Sequence, residues 1–280
     1  MIQNNVWFVT GASKGLGLTL IKKLLTEGFS VAATSRNQDQ LNAIITEHNE
    51  NFLPLQVDLV DEGSVRNAIN KTIERFGTID VVVNNAGFGQ FGALEELTDK
   101  EARMSFDVNV FGTLNVIRAA LPNLRQQRSG HIFNLSSIGG FVGFDGAGIY
   151  GATKFAINGL TESLATDLAP FGIKATCVLP GFFRTNFLSE DSVRYPSEPI
   201  DAYKEATENM KDFYAEKNGK QLGDPNKATE VFIELSRLEN PPVHLFLGSD
   251  AHELFQNKVE QLTKEVSDWV ELSTYTDIKE

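Results

Sequence analysis

The sequence predicts an α/β fold: a single doubly wound domain whose mostly parallel, seven-stranded sheet carries helices on both faces. Three observations predict it. Short apolar runs recur along the chain at strand length. Between them lie longer segments whose apolar residues fall at helical spacing. The first apolar run ends in a glycine-rich turn that opens directly onto one of those helices.

Val6-Trp7-Phe8-Val9 reads as a buried strand, and it leads into Thr10-Gly11-Ala12-Ser13-Lys14-Gly15-Leu16-Gly17. Leu16, Leu20 and Leu24 then recur every fourth residue, as on a helix lying against a sheet, and Gly28 stops it. A second strand covers 30–35 and a second helix about 37–49, with Leu41, Ile44 and Ile45 inward. A third strand covers 52–57, and Val65, Ile69, Ile73 and Phe76 mark a third helix ended by Gly77. The fourth strand, 79–83, runs into Asn84-Asn85-Ala86-Gly87. A long helix follows over 99–127, then a strand over 131–135, a helix over 150–169 and a strand over 173–179. A helix over 225–238, a last strand over 243–247 and a helical stretch over 250–272 complete the pattern. In that last stretch the apolar residues are Leu254, Val259, Leu262, Val266 and Val270.

Strands alternating with helices imply right-handed crossovers and parallel pairing. The exception is 186–222, which is polar, acidic and aromatic and contains the loop signal Tyr195-Pro196-Ser197-Glu198-Pro199. So long an insertion in a compact fold is usually a lid or binding segment. The organisation is therefore one Rossmann-type domain over 1–280, with a substrate-binding lid at 186–222 and a C-terminal helical extension at 250–280.

At 280 residues and 41% hydrophobic composition the chain can bury a core without disulfides or metals. A net charge of −12 argues against nucleic acid, which needs a basic face, and against anionic membrane surfaces. No apolar run reaches transmembrane length, and residues 1–5 lack the charged and apolar regions of a signal peptide, so a cytoplasmic protein is expected. Cys177, the sole cysteine, lies in the apolar run Ala175-Thr176-Cys177-Val178-Leu179 and reads as a core thiol. His48, His131, His244 and His252 are scattered without ligand spacing, so no metal is expected. Gly-x-Ser-x-Gly is absent, which disfavours a serine hydrolase.

A parallel sheet binds ligands at the carboxyl ends of its strands. Gly11, Gly15 and Gly17 let main chain approach a pyrophosphate, and the helix after them offers unpaired N–H groups and a positive dipole end. This Gly-x-x-x-Gly-x-Gly spacing is followed in order by Asp58, Asn84-Asn85-Ala86-Gly87, Asn109, Ser137, Tyr150-Gly151-Ala152-Thr153-Lys154 and Pro180-Gly181. Over about residues 5–190 the series resembles the short-chain dehydrogenase/reductase family. The resemblance implies a nicotinamide-dependent oxidoreductase interconverting a carbonyl and a secondary alcohol.

It also implies the cofactor's contacts. The turn would supply Gly11, Ser13, Lys14, Gly15, Leu16 and Gly17. Asp58 and Leu59 would meet the adenine, and Asn85, Ala86 and Gly87 the adenosine ribose. Pro180, Gly181 and Thr185 would flank the nicotinamide, with Thr185 on its carboxamide. On physical grounds alone, Asp58 could equally cap the helix that begins near Asp61. The second strand ends Thr34-Ser35-Arg36-Asn37, with no acid for ribose hydroxyls. Arg36, Lys14 and the Ser35 hydroxyl instead suit a 2′-phosphate, which predicts NADP(H) over NAD(H).

Tyr150 and Lys154 are four apart at a helix start, so their side chains share one face. Bringing a tyrosine from pKa about 10 to about 7 takes roughly 4 kcal/mol of preferential phenolate stabilisation. The lysine ammonium and an oxidised nicotinamide are expected to supply much of it. Tyr150 would then act as acid/base, and by resemblance Lys154 would also hold the nicotinamide ribose. Ser137 has the spacing of the family's substrate-binding serine, while Ser136 should face the other way. Asn109 matches the family's asparagine, which holds a water in a proton relay to the lysine.

Phe88, Phe91, Phe141, Phe144, Phe182, Phe183 and Phe187 crowd the segments that should rim the site. Some serve the core; the rest point to a bulky apolar substrate. Two rival readings stand beside the dehydrogenase. A catalytically silent NADP-sensing regulator would need no complete catalytic set. An epimerase would have a longer substrate domain than follows residue 186. Relatives commonly associate through the helices matching 99–127 and 150–169, which implies a homodimer or homotetramer.

Overall fold

The computed structural model describes residues 6–45, 50–189 and 192–278. The end of the expected helix 37–49, with His48, lies outside the described residues, as do residues 1–5. The first half of the chain alternates β1 (Val6–Val9), α1 (Gly15–Thr26), β2 (Ser30–Ser35), α2 (Gln38–Ile44), β3 (Phe52–Gln56), α3 (Glu62–Phe76) and β4 (Val81–Asn84). A two-residue strand β5 (Gly89–Gln90) precedes α4 (Asp99–Phe106), α5 (Gly112–Gln127), β6 (Gly130–Leu135), α6 (Gly148–Leu168) and β7 (Ile173–Pro180). Then come β8 (Val193–Arg194), α7 (Lys204–Lys217), α8 (Pro225–Arg237), β9 (His244–Leu247), α9 (Ser249–Asp268) and α10 (Val270–Thr274).

Seven strands form one sheet in the order β3-β2-β1-β4-β6-β7-β9, and every pairing is parallel. The order reverses between β1 and β4, which opens a crevice at their carboxyl ends. Both sheet faces are covered, so the central strands are apolar throughout rather than alternating. Successive side chains of β1 serve opposite layers. Trp7 and Val9 pack with Leu20, Ile21 and Leu24 of α1 and Phe232 of α8. Phe8 packs with Ile69 of α3 and with Val116 and Leu124 of α5.

Phe133 of β6 is fully buried between Trp7, 6.4 Å away and stacked, and Phe232, edge-on at 5.1 Å. Phe133→Ala is expected to cost about 3–5 kcal/mol, because the surrounding strands cannot collapse into the space. The denaturant midpoint should fall with the m-value unchanged; a loss near that of a surface substitution would contradict this packing.

Three features depart from the sequence reading. The expected helix 99–127 is interrupted by a π-helical turn at Asp107–Phe111. Asn109 sits in that turn, where its side chain bonds to residues of two other segments instead of lying on a regular helix face. Segment 186–222 contains β8, which pairs in parallel with β5, and the helix α7. The extension after β9 packs mainly through its first turns, where Phe255 meets Phe141 at 5.4 Å and Phe246 at 4.5 Å. Beyond it Val266, Trp269 and Leu272 are exposed. No helix among the described residues is long and apolar enough to cross a membrane.

Candidate active site

The crevice holds a cavity of about 410 Å³, within the range of small-molecule sites. Its floor is the glycine turn. Gly11 and Gly15 have φ of +63° and +56°, a region where a Cβ is strained. At Gly11 a Cβ would also stand 2.7 Å from Ala86 Cα. At Gly15 the nearest atom is Thr185 Cβ, 3.7 Å away, so the space in front of the turn is open. Gly17 is different: it is buried, and a Cβ there would lie 2.5 Å from Asn85 Nδ2 and 2.6 Å from the Gly11 carbonyl. It lets α1 close onto the strand and does not line the cavity. Lys14 occupies the N-cap of α1 without a side-chain cap, whereas Asp61 and Thr98 cap α3 and α4. The first-turn N–H groups of α1 therefore have no capping side chain, and a helix start of this kind can receive an anion. A diphosphate fits this cradle.

The end of β4 is tied to the turn. Thr10 Oγ1 accepts from the Asn85 and Ala86 amides at 3.0 and 3.1 Å. The Asn85 side chain donates to the Thr10 and Gly11 carbonyls, both at 3.0 Å. Asn85 thus shapes the turn with its amide. Ser13, Lys14, Leu16, Ser35, Arg36, Asp58 and Leu59 line the cavity's far end. Arg36 is exposed there, and Ser35 Oγ accepts from the Asn37 amide at 3.2 Å. The capping alternative for Asp58 is removed: Asp61 caps α3, while Asp58 Oδ1 accepts from the Val60 amide at 3.0 Å.

At the other end Ser137, Tyr150, Lys154, Pro180, Gly181 and Thr185 line the same cavity, with Ala86 and Gly87 between the two ends. Tyr150 and Lys154 are only 8% and 5% exposed. Lys154 Nζ donates to the Leu135 carbonyl at 2.7 Å and lies 5.8 Å from the Tyr150 ring centre. Ser137 Oγ accepts from the Gly139 amide at 3.0 Å and hydrogen-bonds the Tyr150 hydroxyl. Ser136 Oγ instead donates to the Lys154 carbonyl, so the two serines do diverge. Asn109 stands behind the wall. Its Oδ1 accepts from the Phe88 amide at 3.1 Å, and its Nδ2 donates to the Phe88 carbonyl at 3.0 Å and to Thr153 Oγ1 at 3.2 Å. A Cβ at Gly87 would sit 3.1 Å from Asn109 Oδ1 and 3.7 Å from Lys154 Nζ, which puts all three together.

Burial dominates the electrostatics of the side chains themselves. Burial pushes the Tyr150 phenol up to about 12; the Ser137 hydrogen bond opposes this and nearby Tyr214 adds to it. Burial likewise pushes the Lys154 ammonium down to about 8. The lysine one turn away does not by itself bring Tyr150 toward neutrality, because desolvation of both groups dominates. Cys177 is a core thiol, its Sγ 2.9 Å from Asn158 Oδ1 and its pKa raised to about 12 by burial. Among the described residues no three His, Cys, Asp or Glu side chains gather as metal ligands.

Of the seven phenylalanines, six line the cavity and Phe141 packs into the core against Phe246 at 5.3 Å. Sequence reasoning missed Phe213 and Tyr214 of α7, which join this wall, Tyr214 stacking on Phe91 at 4.9 Å. Met210, Phe213 and Tyr214 fall at helical spacing in an otherwise polar segment, a signal that could have found them. Two missed acids had no such signal. Glu96, 2% exposed, accepts from the Ala93 and Ile200 amides at 3.0 and 3.1 Å and so joins segment 186–222 to the body. Asp250 accepts from the Phe182 amide at 2.7 Å, and a Cβ on Gly181 would fall on its carboxylate.

The fold and this cavity are those of a doubly wound α/β protein with a candidate small-molecule site at its strand ends. The family pattern described as short chain dehydrogenase matches residues 5–195, and the chain belongs to that family. It is 36% identical over 271 residues to oxidoreductase BOA17 of Botryotinia fuckeliana, covering 96% of this chain and 97% of that one. A crystal structure of a short-chain dehydrogenase from Streptomyces avermitilis is 34% identical, with TM-score 0.89 over 99% of this chain and 100% of that one. ElxO with NADP bound is 28% identical, with TM-score 0.72 over 88% of this chain and 97% of that one.

Proposed function

We propose that the protein is an NADP(H)-dependent oxidoreductase that interconverts a bulky apolar ketone and its secondary alcohol, with Tyr150 as the acid/base. The observation that carries this reading is the meeting of Ser137, Tyr150 and Lys154 in one cavity with the glycine cradle. When bound, the nicotinamide supplies or accepts the hydride. Tyr150 gives its hydroxyl proton to the carbonyl oxygen in reduction and takes it back in oxidation. Ser137 hydrogen-bonds the same oxygen and steadies the charge that develops on it. The Lys154 ammonium favours the phenolate, and Asn109 fixes Phe88 and Thr153 beside it. At the adenosine end, Lys14 and Arg36 pair the 2′-phosphate and Asp58 meets the adenine.

Phe88, Phe91, Phe182, Phe187, Phe213 and Tyr214 make the substrate end apolar. Segment 186–222 closes it as a lid, latched by Glu96 and by Tyr203, whose hydroxyl donates to Glu95 at 2.7 Å. Glu96→Ala should therefore raise KM for the carbonyl about tenfold or more, as one lost charged hydrogen bond would, with kcat and NADPH affinity changed far less. An unaltered KM would remove the latch from this account. Exposed Met104, Phe111 and Phe155 on the helical segments 99–127 and 150–169 support association as a homodimer or homotetramer. A buried free thiol suits the reducing cytoplasm. The deciding measurement is NADPH oxidation followed by absorbance over a panel of cyclic and aromatic ketones. Tight NADPH binding with no turnover of any of them would favour a sensor instead.

A further inference from the structure

Gln221 stands out among the side chains of the cavity wall. It is 2% exposed, and neither its Oε1 nor its Nε2 has a hydrogen-bond partner. Nor is the residue loosely held. Its carbonyl accepts from Arg184 Nε at 3.2 Å and Nη2 at 3.0 Å. Two residues on, the Gly223 amide donates to the Phe182 carbonyl at 3.0 Å, and the Gly223 carbonyl accepts from the Arg184 amide at 2.8 Å. The main chain is thus locked against the segment leaving β7, and the residue belongs to the cavity wall together with Phe182, Phe183 and Phe213. Buried amides in proteins are almost always paired, and an unpaired one is a standing cost unless a ligand meets it. Other polar groups here are engaged: Ser137 Oγ accepts from Gly139, and Thr185 Oγ1 from Phe187.

We propose that Gln221 is a specificity-determining residue that binds a neutral polar group on the substrate, a hydroxyl or a carboxamide, within an otherwise aromatic pocket. The chemistry selects the class. The amide lacks both a donor and an acceptor, so the matching group must accept and donate. A carboxylate would satisfy Nε2 and leave Oε1 facing negative charge; an ammonium would do the reverse. The substrate is then a bulky ketone or alcohol carrying a second hydroxyl or amide function, which rests on the oxidoreductase reading above.

The test compares 1-tetralone with its ring-hydroxylated isomers in the wild type and in Gln221→Met and Gln221→Leu. The wild type should favour one hydroxylated isomer by at least about 30-fold in kcat/KM, since a pocket built around a hydroxyl rejects the analogue lacking it. Both variants should lose that preference, the ratio of kcat/KM values for the hydroxylated ketone and 1-tetralone falling toward one. Their Tm should hold or rise, because an unpaired amide is replaced by an apolar chain of similar shape; a structural glutamine would give a lower Tm. Calorimetric Kd values for the same ketones, with NADP+ present, read the preference without turnover. A preference that survives in both variants overturns the proposal, as does a wild type that binds no isomer better than 1-tetralone. A weakened NADP+ affinity in the variants also overturns it, by assigning Gln221 to the cofactor. Gln221-dependent Kd differences without any reduction would uphold the subsite and sink the proposed reaction.

Discussion

Tyr150→Phe is expected to lower kcat by about 10²–10⁴, the usual contribution of a positioned general acid, while NADPH affinity and Tm stay close to wild type. The hydroxyl is the only group removed, and the ring keeps its contacts with Phe91 at 5.5 Å and Phe187 at 6.0 Å. The pH profile carries the same argument with a definite sign. Reduction needs Tyr150 protonated, and burial holds its pKa at about 12. It also needs the Lys154 ammonium, whose pKa burial has lowered to about 8. The reductive kcat should therefore be level below about 8 and fall as pH rises through it, with lysine deprotonation as the cause. Lys154→Arg, which keeps its charge, should flatten that fall even where its overall rate is poor. A Tyr150→Phe variant retaining more than a tenth of wild-type turnover would remove the tyrosine from the chemistry.

The second large effect concerns cofactor choice. Each charge-assisted contact to a phosphate is worth about 1.5–3 kcal/mol, or roughly 10- to 100-fold in affinity. Replacing both Lys14 and Arg36 with Ala should accordingly weaken NADPH binding by about 10²–10⁴ and leave NADH, which lacks the 2′-phosphate, little changed. The ratio of kcat/KM values for the two cofactors then moves toward NADH. Equal losses for both would assign the two cations to the shared diphosphate or to the fold, and a wild type that already favours NADH would refute the assignment outright.

How much of this was legible in the sequence varies by residue. The glycine turn was, because Gly15 at φ +56° in front of open space leaves a local mark that only glycine satisfies. Tyr150 and Lys154 were, because four-residue spacing at a helix start places two side chains on one face whatever surrounds them. Asn109 was found as a motif residue, but its setting was not: periodicity has no signature for a single π-helical turn. Asn85 was expected at the cofactor and lines the cavity, but the bonds of its side chain to the Thr10 and Gly11 carbonyls had no local signal. Glu96, Gln221 and Asp250 carry no pattern. Each acquires its role from partners far away in sequence: Glu96 from Ile200, Asp250 from Phe182, and Gln221 from Arg184 and the cavity.

The sequence alone was enough for the parallel α/β sheet, the family and, Gly17 and Asn109 apart, a set of residues that line one cavity at the strand ends. Those follow from periodicity, turn chemistry and motif order, all of which act over a few neighbouring residues. Only the tertiary structure decided which phenylalanines form a binding wall and which serve the core, how segment 186–222 is tied down, and which way burial drives Tyr150 and Lys154. Burial is set by everything that packs around a group, and Tyr150 is packed by Phe91, by Phe187, Val193 and Tyr195, and by Met210 and Tyr214 of α7, all remote from it along the chain.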